Sequence, residues 1–106
     1  MGDTIFSELQ KRKMAENAEA AEALLKLLAN KYRLQILCSL TEKQLSVSDL
    51  EKVCGLSQSA LSQHLAKLRQ ADVVTAIKDG QMVYYKLASV EINALLSVLH
   101  LIYCKE

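Results

Sequence analysis

Proline and tryptophan are absent from this 106-residue chain, glycine occurs three times and phenylalanine once. The missing prolines and scarce glycines exclude collagen-like and low-complexity architectures and make the few breaks in the pattern informative. No apolar run approaches the roughly 18–20 residues of a membrane span, because Lys, Glu or Gln interrupts each candidate. The start, Met1 to Glu8, carries an early acid and no apolar stretch, so a secretory leader is not expected. Cys38, Cys54 and Cys104 lie far apart with no Cys-x-x-Cys spacing. That excludes a disulfide-dense secreted scaffold and fits a reducing, cytoplasmic setting. A glycine-rich phosphate loop, paired acids in a plausible cleft and a Ser-His-Asp set are also missing, so nothing indicates an enzyme.

What is present is a chain that is 51% hydrophobic and 24% charged, the composition of one soluble globular domain. We take residues 1–106 as that domain, with 1–14 as a flexible N-terminal extension. The formal net charge is +1. Near neutrality neither announces nor forbids nucleic-acid binding, because the placement of the charge matters more than its sum.

From Thr4 to Asn30 the chain is rich in Ala, Leu, Glu and Lys, which are strong helix formers. Ala20, Ala21, Leu24, Leu25, Leu27 and Leu28 give it a stripe suited to close helix packing. Asn30 separates this helix from a second, with Leu34, Leu37, Cys38 and Leu40 on its apolar side and Lys31 and Arg33 directed elsewhere. Ser46 reads as the N-cap of a short helix carrying Val47, Leu50, Val53 and Cys54, and Gly55 stops it. Ser57 caps the next helix, whose face is Ala60, Leu61, Leu65 and Leu68 and which runs to about Ala71. The period then changes from helical to strand. Val73 to Lys78 and Gln81 to Leu87 flank Asp79-Gly80, a strong hairpin signal that sets Val74, Ala76, Val83, Tyr85 and Leu87 on one face. Ser89 caps a last helix striped by Ile92, Leu95, Leu96, Leu99, Ile102 and Tyr103. The expected fold is mainly α with a β-hairpin wing, in the order ααααββα.

Leu45 to Leu68 has the layout of a helix-turn-helix: short helix, glycine turn, longer N-capped helix. The outer side of the longer helix is Gln58, Ser59, Ser62, Gln63 and Lys67, with His64 at its edge. Gln can bond adenine in two places, Ser can bond bases or phosphates, and Lys meets guanine or phosphate. The same residues could merely solvate a helix face. The hairpin shifts the balance, because its tip, Lys78-Asp79-Gly80-Gln81, can lie along a phosphate backbone or minor groove and completes a winged helix. Between Leu56 and Leu87, Lys67, Arg69, Lys78 and Lys86 outnumber Asp72 and Asp79, so positive charge sits where phosphates would be. His64 could touch DNA or simply border the core. Lys11-Arg12-Lys13 reads as a solvated helix face, His100 as a helix-surface histidine, and Tyr84 and Tyr85 as strand packing.

Leu28-Ala29-Asn30-Lys31-Tyr32-Arg33-Leu34-Gln35-Ile36-Leu37 resembles the LANxxRLxIL stretch of the ArsR-type bacterial regulators. Leu56 to Leu68 is similar to their recognition helix, and Gly80 to Leu87 to their second wing strand. The resemblance runs from about Ala20 to Cys104. It implies a dimeric winged-helix transcription factor, with the first and last helices at the interface and an inducer that weakens operator binding.

Metal sensing is common in that family, and its ligand positions are changed here. Where the family carries a cysteine motif such as ELCVCDL, this chain has Gln44-Leu45-Ser46-Val47-Ser48-Asp49-Leu50, and hydroxyls are poor substitutes for the thiolates that arsenic, cadmium or lead require. The last helix offers Ser89-Val90-Glu91 and His100, too few ligands for a closed zinc site. No metal and no cofactor are expected.

Cys38 and Cys104 are similar in position to the dithiol of the family's thiol-sensing subgroup. The resemblance implies that oxidants or reactive sulfur species join them, tie the last helix to the second, and loosen the grip on DNA. Read alone, either cysteine could be inert packing. Cys54 falls outside that pattern and reads as packing. The expected protein is thus a homodimeric repressor of double-stranded operator DNA, with Gln58, Ser59, Ser62, Gln63, His64, Lys67, Lys78 and Gln81 on the DNA and Cys38 and Cys104 as the redox input. Alternatives are a counter-silencing activator with the same DNA mode, a metal-responsive repressor, or a winged-helix protein-interaction module.

Overall fold

The structure is a computed structural model, and it describes residues 7–103. Five helices and a three-stranded antiparallel sheet follow one another as α1 (Glu8–Leu28), α2 (Lys31–Ser39), β1 (Leu45–Ser46), α3 (Val47–Cys54), α4 (Gln58–Gln70), β2 (Val74–Asp79), β3 (Met82–Leu87) and α5 (Val90–Tyr103). The helices and the hairpin come in the order expected. The two-residue β1 is an addition, and it places β3 in the centre of a sheet ordered β1-β3-β2. No helix among the described residues is long and apolar enough to cross a membrane.

The helix starts are set by polar side chains that accept otherwise unpaired backbone N–H groups. Ser7 and Gln10 form a capping box at α1, and the helix starts at Glu8, within the 1–14 stretch taken as an N-terminal extension. Asn30 Oδ1 accepts from the backbone of Tyr32 at 3.0 Å and Arg33 at 3.1 Å. Ser46 and Asp49 cap α3 reciprocally, each at 3.1 Å. Ser57 caps α4 and Ser89 caps α5. Gly55 ends α3 in the left-handed conformation, at φ 65°.

The end of α4 is a Schellman turn: Asp72 N–H donates to the Arg69 carbonyl and Val73 N–H to the Leu68 carbonyl. Asp72 takes the left-handed position at φ 59°, where glycine is usual. Leu68 and Val73 are both buried. The chain therefore passes from recognition helix to wing with no slack between them.

Val74 pairs with Leu87 and Asp79 with Met82, which makes Gly80-Gln81 the turn. The sequence had suggested Asp79-Gly80. Gly80 alone of the pair has positive φ, so it takes the first central position of a type II′ turn. The two-residue shift in register preserves parity, and the expected apolar face of Val74, Ala76, Val83, Tyr85 and Leu87 is retained.

Leu61, Leu65 and Leu68 of α4, Leu50 of α3, Ile36 and Leu37 of α2, Leu96 of α5, Leu28, Leu40, Val73 and Val74 make the core. Several positions differ from the sequence reading: Leu25 of the expected α1 stripe and Leu95, Ile102 and Tyr103 of the expected α5 stripe are exposed. Ile36, off the expected stripe, is fully buried because α2 packs against α1, α3 and α5 at once. Val53, on the expected stripe of α3, is 53% exposed.

Candidate nucleic-acid interface

α3, the Gly55-Leu56-Ser57 turn and α4 form the helix-turn-helix. Leu56 packs on the core and fixes the turn, while Leu61, Leu65 and Leu68 hold the inner side of α4. The opposite side is presented outward: Gln58, Ser59, Ser62, Gln63 and Lys67 are exposed. Lys78 and Gln81 are exposed at the hairpin tip. Seven of the eight residues singled out for DNA contact thus lie on open surface.

His64 is the exception. It is half-buried at the edge of α4, in contact with the start of α2. Arg33 Nη1 lies 3.5 Å from His64 Nδ1, at the long end of the hydrogen-bond range, and the Tyr32 ring is centred 6.1 Å from the imidazole. Arg33 also donates through Nε to the Leu27 carbonyl. Burial, then the cations of Arg33 and Lys67, push the His64 pKa below the ordinary histidine value. Arg33 and Tyr32 were not among the residues singled out from sequence. Only a contact between distant stretches of chain reveals them.

Of the two serines at the family's cysteine positions, Ser46 has a structural task. Ser46 is 4% exposed and its hydroxyl accepts from the Asp49 N–H, while the Asp49 carboxylate accepts from the Ser46 N–H. These bonds hold the Asp49 carboxyl below the usual carboxylate range. Glu91 and His100 are exposed on α5. No group of three or more His, Cys, Asp or Glu among the described residues could hold a metal ion.

Cys38 is half-buried and lines an apolar pocket of about 260 Å³ together with Leu34, Gln35, Leu99, His100 and Tyr103. Cys104 lies outside the described residues. Tyr103, which precedes it in sequence, brings the end of α5 to the pocket that Cys38 lines. Cys54 packs against the core, and burial raises its thiol pKa.

A helix-turn-helix followed directly by the β2–β3 hairpin, with its polar helix face turned outward, defines a winged-helix DNA-binding protein. Comparison with known proteins agrees. The sequence profile described as "Bacterial regulatory protein, arsR family" matches residues 30–76. "Transcriptional activator HlyU" of Vibrio cholerae is 48% identical, over 89% of this chain and 87% of that protein. "Biofilm growth-associated repressor" of Xylella fastidiosa is 30% identical, over 100% of this chain and 93% of that protein. Among solved structures, reduced HlyU from Vibrio cholerae superimposes with a TM-score of 0.84 at 48% identity, covering 89% of this chain and 99% of that one. The transcriptional repressor BigR from Xylella fastidiosa gives 0.79 at 31% identity, covering 91% and 98%. The chain belongs to the ArsR family. It is a DNA-binding transcriptional regulator and not an enzyme.

Proposed function

We propose that the chain acts in the cytoplasm as a homodimeric repressor whose hold on operator DNA is released when Cys38 and Cys104 become covalently joined. In this reading Gln58, Ser59, Ser62, Gln63, His64 and Lys67 meet the major groove, and Lys78 and Gln81 meet the adjacent backbone or minor groove. The outward polar side of α4 and the exposed wing tip support it. Two recognition helices related by a two-fold axis would stand about 34–36 Å apart, one turn of DNA.

The dimer is supported by apolar side chains that the monomer leaves open. On α5, Val98 is 54%, Leu101 65% and Tyr103 79% exposed, and α1 exposes Leu9, Met14 and Leu25. Large apolar surface on two helices is more than a stable monomer usually shows to water.

The observation that carries the sensing reading is the pocket shared by Cys38 and Tyr103. Bridging Cys38 to the residue after Tyr103 would clamp the end of α5 to α2 and alter the dimer seam. Joining two thiols as a disulfide gives up two hydrogens to an oxidant; a sulfur donor would leave a longer bridge and added mass. The test is intact mass and DNA affinity, before and after peroxide, a small disulfide or a polysulfide, using a duplex selected from a randomised pool. A mass change in the wild type with unaltered DNA affinity would overturn the sensing reading. The Vibrio cholerae relative is described as an activator, so displacement of other DNA-bound proteins is the second reading. It keeps the same DNA face and the same switch.

A further inference from the structure

We propose that Arg33 is a positioning residue for the DNA-reading helix, joining the carbonyl end of α1 to His64 on α4 and fixing the imidazole with its hydrogen on Nε2. This rests on the reading that the outer side of α4 faces DNA.

Four contacts meet around this point. The Leu27 carbonyl, in the last turn of α1, is among those a helix end leaves without an intrahelical partner, and Arg33 Nε donates to it. That bond orients the planar guanidinium. From the same group, Nη1 lies 3.5 Å from Nδ1 of His64. Tyr32 borders the ring at 6.1 Å between centroids and 33° between planes, and Lys31 Nζ sits 5.1 Å over the Tyr32 ring.

The chemistry of the pair fixes its protonation. Arginine carries donors only and stays charged, so Nδ1 must offer a lone pair. A neutral imidazole has one hydrogen, which then belongs on Nε2. The groups facing His64 reinforce this: Arg33 and Tyr32 from α2, and Lys67 from its own helix. Both cations oppose a third positive charge. His64 thus offers DNA a single directed N–H donor, while Lys67 beside it supplies the charge. The same arginine connects this donor to α1, a helix that the dimer reading puts at the subunit seam.

The test uses the full chain, which has two histidines in all. Long-range ¹H–¹⁵N spectra of the ring nitrogens read the tautomer directly, and His100→Gln assigns the signals. We expect His64 to hold its hydrogen on Nε2. In Arg33→Met the tautomer becomes mixed and the titration midpoint rises; in Arg33→Lys the cation is kept but the planar fork is lost, so only the tautomer relaxes. A ring signature unchanged in Arg33→Met would overturn the proposal. On a selected duplex, Arg33→Met and His64→Gln should each weaken binding about tenfold, as for a lost hydrogen bond to a charged group. The double variant should lose no more than the worse single one, and additive losses would overturn the coupling. Intact binding by a Ser62→Ala, Gln63→Ala variant would instead sink the α4 reading, which the spectra of the free protein do not require.

Discussion

Cys38, near the end of α2, and Tyr103, at the end of α5, line one apolar pocket. Two helices that start at distant points of the chain therefore converge where the proposed thiol chemistry takes place. One of them, α5, leaves Val98, Leu101 and Ile102 exposed. A covalent tie at this pocket would act on the same helix that a second copy would cover.

Cys54 provides the internal control. Its thiol packs on the core and its pKa is raised by burial, which lowers the thiolate fraction at neutral pH. Alkylation of the native protein should label Cys54 slowly. Cys54→Ser should keep the full DNA response to oxidants, whereas Cys38→Ser should lose it.

In the proposed mode of binding, the DNA face has base-reading and phosphate-reading parts. Gln63→Ala should cost about 1–3 kcal/mol on the preferred duplex and relax its sequence preference. Lys78→Ala should weaken all duplexes alike and lower the slope of log affinity against log salt by about 1. Titrations at several salt concentrations separate the two behaviours.

In the proposed homodimer, charge placed at the seam should separate the subunits. Val98→Asp with Ile102→Asp places charge on the exposed apolar side of α5, away from buried Leu96. Sedimentation should report a folded monomer, with DNA affinity falling steeply because a single recognition helix remains per particle.

The cap of α3 makes an acid-sensitive contribution to stability. Hydrogen bonds from Ser46 depress the Asp49 pKa, so the folded state favours the carboxylate. This stabilisation is present above the unfolded value of about 3.9 and is lost as pH falls through the lower, folded value. Ser46→Ala should cost about 1 kcal/mol at pH 7, and thermal melts of Asp49→Asn should decline less between neutral and acid pH than those of the wild type. His64 has the same sign, since its folded pKa also lies below the unfolded one. Its share is complete above about 6.5 and fades as pH drops through the folded value.

Most of the frame was legible because polar caps precede each apolar stripe: Asn30, Ser46, Ser57 and Ser89 mark helix starts, and all four accept backbone bonds in the structure. What escaped has physical reasons. β1 is two residues long, too short for any period, and exists through its pairing with Tyr84 and Tyr85. The turn moved to Gly80-Gln81 because the residue needing positive φ came first in it. Ile36 was missed because α2 is enclosed by α1, α3 and α5, so a single-stripe pattern fails there. The polar side of α4 could be read directly, since what remains after its buried leucines is its outer surface. The Arg33–His64 contact could not, because it joins stretches far apart in sequence and leaves no local signature.

Joining Cys38 to Cys104 should loosen the protein from DNA. This is tested most directly by taking one sample through reduction, treatment with polysulfide or peroxide, and renewed reduction, with intact mass and duplex affinity read at each stage. The expected result is a mass consistent with a Cys38–Cys104 bridge, a loss of affinity of at least about tenfold (some 1.4 kcal/mol), and full recovery of both on reduction. A bridged protein that binds the duplex as tightly as the reduced one would contradict it.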